Sequence, residues 1–143
     1  MKGPIQSVEV SYLVHATEDA KKIEESISWL IGQEEPPMVD TLVGHFGNPI
    51  LRVRVHLTGD DAGRALSRAL AKMPRRLKDE IAADVEAYTD EHSALFLRLD
   101  KQKLVEREIA VGNSDAVRLK VKPRSFEVRG RPGPFFSALL EGP

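Results

Sequence analysis

The sequence predicts an α+β fold in which a mostly antiparallel sheet carries helices on one face. Strand-like alternation recurs along the chain, as in VEVSYLV at residues 8–14, and amphipathic helical segments come between hairpin-like strands. An apolar fraction of 41% in 143 residues suffices for a hydrophobic core. Helices placed between hairpin-like strands fit a two-layer sandwich better than a doubly wound sheet.

The first half of the chain reads as strand, helix, strand, strand. Residues 5–16 alternate as a half-buried strand, and Thr17 is a candidate N-cap for the helix in AKKIEESISWLIG, which Gly32 would end. The prolines of QEEPPM cannot continue that helix. The strand VDTLVGHF then follows, and ILRVRVHL alternates cleanly between apolar and basic residues.

The second half reads as two helices and two strands, with one ambiguous segment between the strands. TGDDAGRALSRALAKM and PRRLKDEIAADVEAYTD show helical periodicity. ALFLRLD is a strand that buries either Leu95, Leu97 and Leu99 or the opposite set, and KQKLVEREIAV fits a short helix or a strand equally. DAVRLKVKP closes the core with alternate apolar residues inside and basic residues outside.

The chain divides into one domain at residues 1–123 and an extension rich in glycine and proline at residues 124–143. We expect the extension to be mobile and to end in an apolar patch. The absence of cysteine excludes disulfides and thiolate chemistry, and no apolar run approaches the roughly 20 residues that span a bilayer. These features predict a cytoplasmic protein. The patch consists of Phe135, Phe136, Leu139 and Leu140.

The outward face of the predicted sheet is unusually basic, although the whole chain has a net charge of −1. Positive charge on a pleated face can contact phosphates, and Phe96 adds a ring that could stack on an unpaired base. The alternative is an ordinary solvated sheet face, which displays arginine and lysine whether or not it binds a ligand. The face comprises Arg52, Arg54, His56, Arg98, Arg118, Lys120 and Lys122.

The sequence gives little support for catalysis. The four histidines fall on separate elements and none has helical metal-ligand spacing, and the chain contains no phosphate-binding glycine motif. A nuclease site at Asp100 with Lys101 and Lys103, or at Glu106 and Glu108, lacks the strand-borne arrangement of two acids and a lysine that would fix a divalent ion. We therefore predict no enzyme activity, no cofactor and no metal.

The segment GHFGNPI, residues 44–50, predicts a tight reversal between two strands. Gly47 can adopt positive φ, and Asn48 is kept from the helical region by the proline that follows it. Either this is a structural turn or it is a loop that touches a ligand. In the second case His45 and Phe46 are the side chains that would reach the ligand.

Four strings occur together in the order VHATEDAKKI, GHFGNPI, LFLRLDKQ and SDAVRLKVK. With them, residues 5–122 resemble the archaeal family of RNA-binding proteins or predicted exosome subunits. The resemblance implies an archaeal source and a fold like that of the large-subunit ribosomal protein that contacts five-S ribosomal RNA. It also directs attention to His15, Glu18, His45, Phe46 and the turn at residues 100–102. Of these, we expect His15, His45 and the turn to lie at one rim beside the basic face.

The function predicted is non-catalytic RNA binding in archaeal RNA processing or ribosome maturation, with an association with the exosome left open. The partners expected are ribosomal or transfer-RNA-like RNA and exosome or ribosomal proteins, not a membrane; a homodimer is also open. The alternatives are a protein–protein adaptor, docking through the apolar tail or an exposed sheet edge, and a metal-dependent nuclease. The predicted RNA contacts are the basic face, Phe96, Lys101, His15, His45 and Phe46.

Overall fold

The computed structural model describes residues 4–32, 36–44, 46–124, 128 and 130–141. The strands are β1 (Ile5–Val14), β2 (Met38–Val43), β3 (Pro49–Thr58), β4 (Leu95–Asp100) and β5 (Ala116–Pro123). The helices are α1 (Ala20–Ile31), α2 (Gly59–Lys72), α3 (Arg75–Ala83), α4 (Lys101–Val105) and α5 (Pro132–Glu141), with a 3-10 helix at Val85–Tyr88.

The described strands form one open antiparallel sheet in the order β2-β3-β1-β5-β4. Helix α2 packs against β1 and β3, and α1 packs against α2 and α4. The predicted α+β class, with a mostly antiparallel sheet and helices packed on it, is confirmed. The other face of the sheet, called the open face below, carries no helix among the described residues.

Period-2 alternation decides which side chains enter the core. In β4 the buried set is Leu95, Leu97 and Leu99, which settles the alternative that the sequence left open. The sheet side of the core is completed by alternate apolar residues of β1, β3 and β5. Among the described residues, no helix has the length and apolar character needed to cross a membrane.

The C-terminal segment differs from the predicted mobile extension. Helix α5 packs on α3 and on the 3-10 helix, and it buries Phe136 and Leu140 in the main core. The two side chains are four residues apart and so lie on one helical face, which the core covers. The apolar tail that an adaptor could have used for docking is therefore largely occupied within the chain itself.

The cap of α1 is Asp19 rather than the predicted Thr17, and the segment that fitted a helix or a strand equally begins as a helix. Helix α1 is capped by Asp19, whose side chain accepts hydrogen bonds from the backbone N–H groups of Lys21 and Lys22. The ambiguous segment after β4 begins as helix α4, because the Asp100 carboxylate accepts the backbone N–H of Lys103 at 2.9 Å. Both carboxylates satisfy N–H groups that a helix start leaves without partners.

Candidate nucleic-acid interface

The register of the sheet aligns three arginines in one row across the open face. Arg98 of β4 lies opposite Arg118 of β5, and Arg118 lies opposite Ser11 of β1. Ser11 in turn lies opposite Arg54 of β3. The row therefore crosses four neighbouring strands, which are spaced by about 4.8 Å.

A second row beside it combines a ring with a cation. Phe96 lies opposite Lys120, and the Lys120 ammonium is 5.3 Å from the centre of the Phe96 ring. The row continues through Glu9 to His56, where the histidine Nδ1 lies 3.9 Å from a Glu9 carboxylate oxygen. The ring is 39% exposed, so one of its surfaces remains accessible to a ligand.

Positive charge is in excess on this face, although part of it is paired. Asp40 of β2 bonds Arg52 at 3.0 Å and Arg54 at 3.4 Å. The hydrogen bond from Arg52, together with the charges of both arginines, holds the pKa of Asp40 below its usual value. In the described part of the chain, Arg98, Arg118 and Lys122 have no ion-pair partner. These three side chains can therefore bind an anion without first breaking a salt bridge.

Next to the basic rows, a cluster of salt bridges around the buried Lys101 closes one rim of the sheet. The Lys101 side chain is 3% exposed, and its ammonium donates to Glu18 Oε1 at 2.9 Å and to both Asp115 carboxylate oxygens at 3.1 Å. It also donates to the Leu13 carbonyl oxygen at 2.9 Å. His15 Nε2 lies 3.3 Å from Asp115 Oδ2. We call Lys101, Glu18, Asp115 and His15 the rim cluster.

The rim cluster contains three groups that could bind a metal, but a cation already occupies it. The ligand atoms of His15, Glu18 and Asp115 lie within 4.8 Å of one another. The Lys101 ammonium is within hydrogen-bonding distance of both carboxylates. A divalent ion would have to displace this ammonium, so the cluster is built as a salt bridge. The proposed nuclease acid, Asp100, caps α4 instead.

Asp115 should make the fold sensitive to acid. Partial burial opposes its ionisation, but hydrogen bonds and charge from Lys101, with a smaller contribution from His15, outweigh burial and hold its pKa below the usual value. A carboxyl whose pKa is lower in the folded state contributes stability above its unfolded pKa of about 3.9 and loses it as pH falls through the folded value.

We therefore expect the free energy of unfolding to fall below about pH 4, and to fall less steeply in Asp115→Asn. Chemical denaturation of both proteins at a series of pH values between neutral and strongly acidic measures the two slopes. Equal slopes would show that Asp115 carries no such linkage.

The GHFGNPI segment forms the turn between β2 and β3. The Gly44 N–H donates to the Asn48 carbonyl at 2.7 Å, and Gly47 has φ of +81°. Phe46 at its tip is 88% exposed. Its neighbour His45 lies outside the described residues. A surface cavity of about 220 Å³ joins Phe46 of the turn to His15 of the rim cluster.

The predicted RNA contacts separate into three groups. Arg52, Arg54, His56, Phe96, Arg98, Arg118, Lys120 and Lys122 all lie on the open face. His15 and Phe46 lie at its rim. Lys101 differs, because its ammonium is buried and holds the rim cluster together, out of reach of a phosphate. The sequence interpretation missed Asp115, although it belongs to the string SDAVRLKVK.

The fold and this surface define a small α+β protein whose sheet is covered by helices on one face and displays basic side chains on the other. Residues 7–123 match the model of a protein family described as RNA binding, and the chain belongs to that family. It is similar to RNA-binding protein PAB1135 of Pyrococcus abyssi, with 28% identity over 90% of each chain.

Solved structures of archaeal proteins share the fold. Mth689 of Methanothermobacter thermautotrophicus is 28% identical, with a TM-score of 0.70 over 90% of this chain and 92% of that one. SSO0741 of Sulfolobus solfataricus is 23% identical, with a TM-score of 0.76 over 94% of this chain and 97% of that one. At that lower identity the likeness to SSO0741 concerns the fold alone.

Proposed function

We propose that this protein is a non-catalytic module that binds RNA through the open face of its sheet. The observation that carries the proposal is the row formed by Arg98, Arg118, Ser11 and Arg54 on four consecutive strands. Guanidinium groups bind phosphate oxygens in a bidentate manner, and a rigid sheet holds them at fixed spacing. The family description and the name of the Pyrococcus relative support RNA as the ligand.

The geometry also favours a ligand with unpaired bases. The exposed ring of Phe96, next to the Lys120 ammonium, offers a stacking surface of the kind that single-stranded segments use. Between the arginine row and the rim cluster lies a cavity of about 140 Å³, lined in part by Ser11, Arg52, Ser114 and Arg118. A base edge bound there would meet hydroxyl and guanidinium donors, and the Asp115 carboxylate that also lines the cavity could accept a hydrogen bond from a base amino group.

Phosphate contacts and a stacking ring together suit a folded RNA with exposed loops, such as ribosomal or transfer-RNA-like RNA. We place the protein in archaeal RNA processing or ribosome maturation, where exosome or ribosomal proteins would be its neighbours. The resemblance of the four sequence strings supports this setting.

Binding that rests on phosphate contacts should weaken steeply with salt. We expect the full chain to bind a folded RNA containing loops more tightly than a blunt RNA duplex of equal length, and to lose affinity for both between about 50 mM and 200 mM salt. Fluorescence anisotropy with labelled RNAs measures this. Affinity no higher than that of a neutral control protein at the lower salt would overturn the proposal.

A further inference from the structure

Strand β2 is an exposed apolar edge that RNA binding does not explain. The sheet ends at β2, whose described pairing is with β3 alone. Its apolar side chains are exposed on both sides of the strand: Met38 56%, Val39 51%, Leu42 37% and Val43 80%. Edge strands in monomeric proteins are commonly protected by charges or bulges. The one charge in β2, Asp40, is already engaged by Arg52 and Arg54.

The opposite edge of the sheet is protected. Backbone hydrogen bonds join Asp100 N to Ala110 O and Gly112 N to Arg98 O, each at 2.8 Å, so residues 110–112 cover part of β4. An isolated bridge joins Leu99 to Val111 on the same edge. One edge of the sheet is therefore covered by the chain itself, whereas the more apolar edge is left exposed.

We infer that β2 pairs with β2 of a second copy of this chain in an antiparallel arrangement centred on Thr41. Residues that face each other across antiparallel strands point to the same side of the sheet. An exact twofold axis must therefore pass midway between the two copies of one residue, which then faces itself. Centring on Asp40 would set two carboxylates against each other. Centring on Thr41 pairs Thr41 with Thr41, Val39 with Val43 and Asp40 with Leu42.

This pairing sets the geometry of the dimer. Its twofold axis is perpendicular to the sheet, so the two five-stranded sheets become one continuous sheet and the two open faces lie on the same side. Arg52 and Arg54 of each copy then lie on the strands next to the central pair. A six-residue strand pair is a small interface, so we expect dimerisation to depend on protein concentration.

The interface can be tested without RNA, so its failure is distinguishable from failure of the proposed function. We expect light scattering during size exclusion to show a mass that rises from monomer to dimer with concentration. The double variant Val39→Lys and Val43→Lys should remain monomeric. Val111→Lys, which changes an apolar residue of 54% exposure at the opposite edge, should dimerise as the wild type does.

Cross-linking tests the register, since the chain has no cysteine of its own. Thr41→Cys should form a disulfide-linked dimer under a mild oxidant, because residue 41 faces its own copy. Val39→Cys alone should not, whereas a mixture of Val39→Cys and Val43→Cys should. A wild type that stays monomeric up to about 1 mM would overturn the inference, as would a dimer that survives the lysine pair or fails to cross-link at residue 41.

Discussion

Replacing Lys101 with methionine should lower the free energy of unfolding by about 2 to 4 kcal/mol, because it removes the cation that the Glu18 and Asp115 carboxylates share. Glu18 has 15% side-chain exposure, so water replaces the lost ammonium poorly. Asp115 is 47% exposed and is compensated better, which keeps the expected loss below that for a fully buried pair. The change corresponds to a fall in Tm of roughly 10 °C for a chain of this size.

Urea and thermal unfolding of Lys101→Met measure this loss, and Lys103→Met is the matched control. Lys103 lies two residues further along α4, where its side chain is exposed. The control makes the same chemical change in the same helix without touching the rim cluster. Similar stabilities for the two variants would mean that the Lys101 ammonium contributes little net stabilisation.

The double variant Lys101→Met with Glu18→Gln separates charge from packing. Removing Glu18 together with its partner should recover part of the stability that Lys101→Met loses, because the stranded carboxylate is gone. If the recovery is absent, the loss comes from packing of the lysine stem rather than from unpaired charge.

The open face could be predicted from the sequence, whereas the rim cluster could be predicted in part. Alternation along β3 and β5 is a local signal, so the outward positions of Arg54, Arg118 and Lys120 follow from the strand pattern alone. The rows depend on register, which aligns Arg98 with Arg118 and Ser11 with Arg54. No local pattern encodes that alignment.

The rim cluster depends on contacts between distant parts of the chain. Lys101 bonds Glu18, which is 83 residues away, and Asp115, which is 14 residues away. The sequence predicts Lys101 as an RNA contact, because no local pattern indicates that its ammonium is paired. The resemblance did single out His15, Glu18 and Lys101, because their strings are ones that the family shares. Their common role becomes visible once the chain is folded.

Arg98 and Arg118 should dominate RNA affinity while contributing nothing favourable to folding. They lie directly opposite each other on β4 and β5, and like charges in that position repel. The repulsion between the two arginines opposes folding, and a phosphate bound between them would relieve it. Changing both to glutamine should therefore leave stability unchanged or slightly higher, because the repulsion is removed.

The same double variant should bind folded RNA at least about 100-fold more weakly at low salt, since two charged hydrogen bonds to phosphate, at about 1.5 to 3 kcal/mol each, contribute about 3 kcal/mol or more together. The negative slope of log affinity against log salt should become shallower by roughly 1.4 to 1.8, which corresponds to two lost phosphate contacts. Anisotropy titrations at several salt concentrations measure both quantities.

The matched control is Arg75→Gln with Arg76→Gln on α3, which removes the same charge from exposed residues paired with Asp79 and Glu80. If long-range charge alone drove binding, both double variants would lose the same affinity. If the row on the open face makes the contacts, the slope should fall in the sheet variant and stay at the wild-type value in the helix variant. Equal losses would mean that long-range charge, rather than contacts on this face, drives binding.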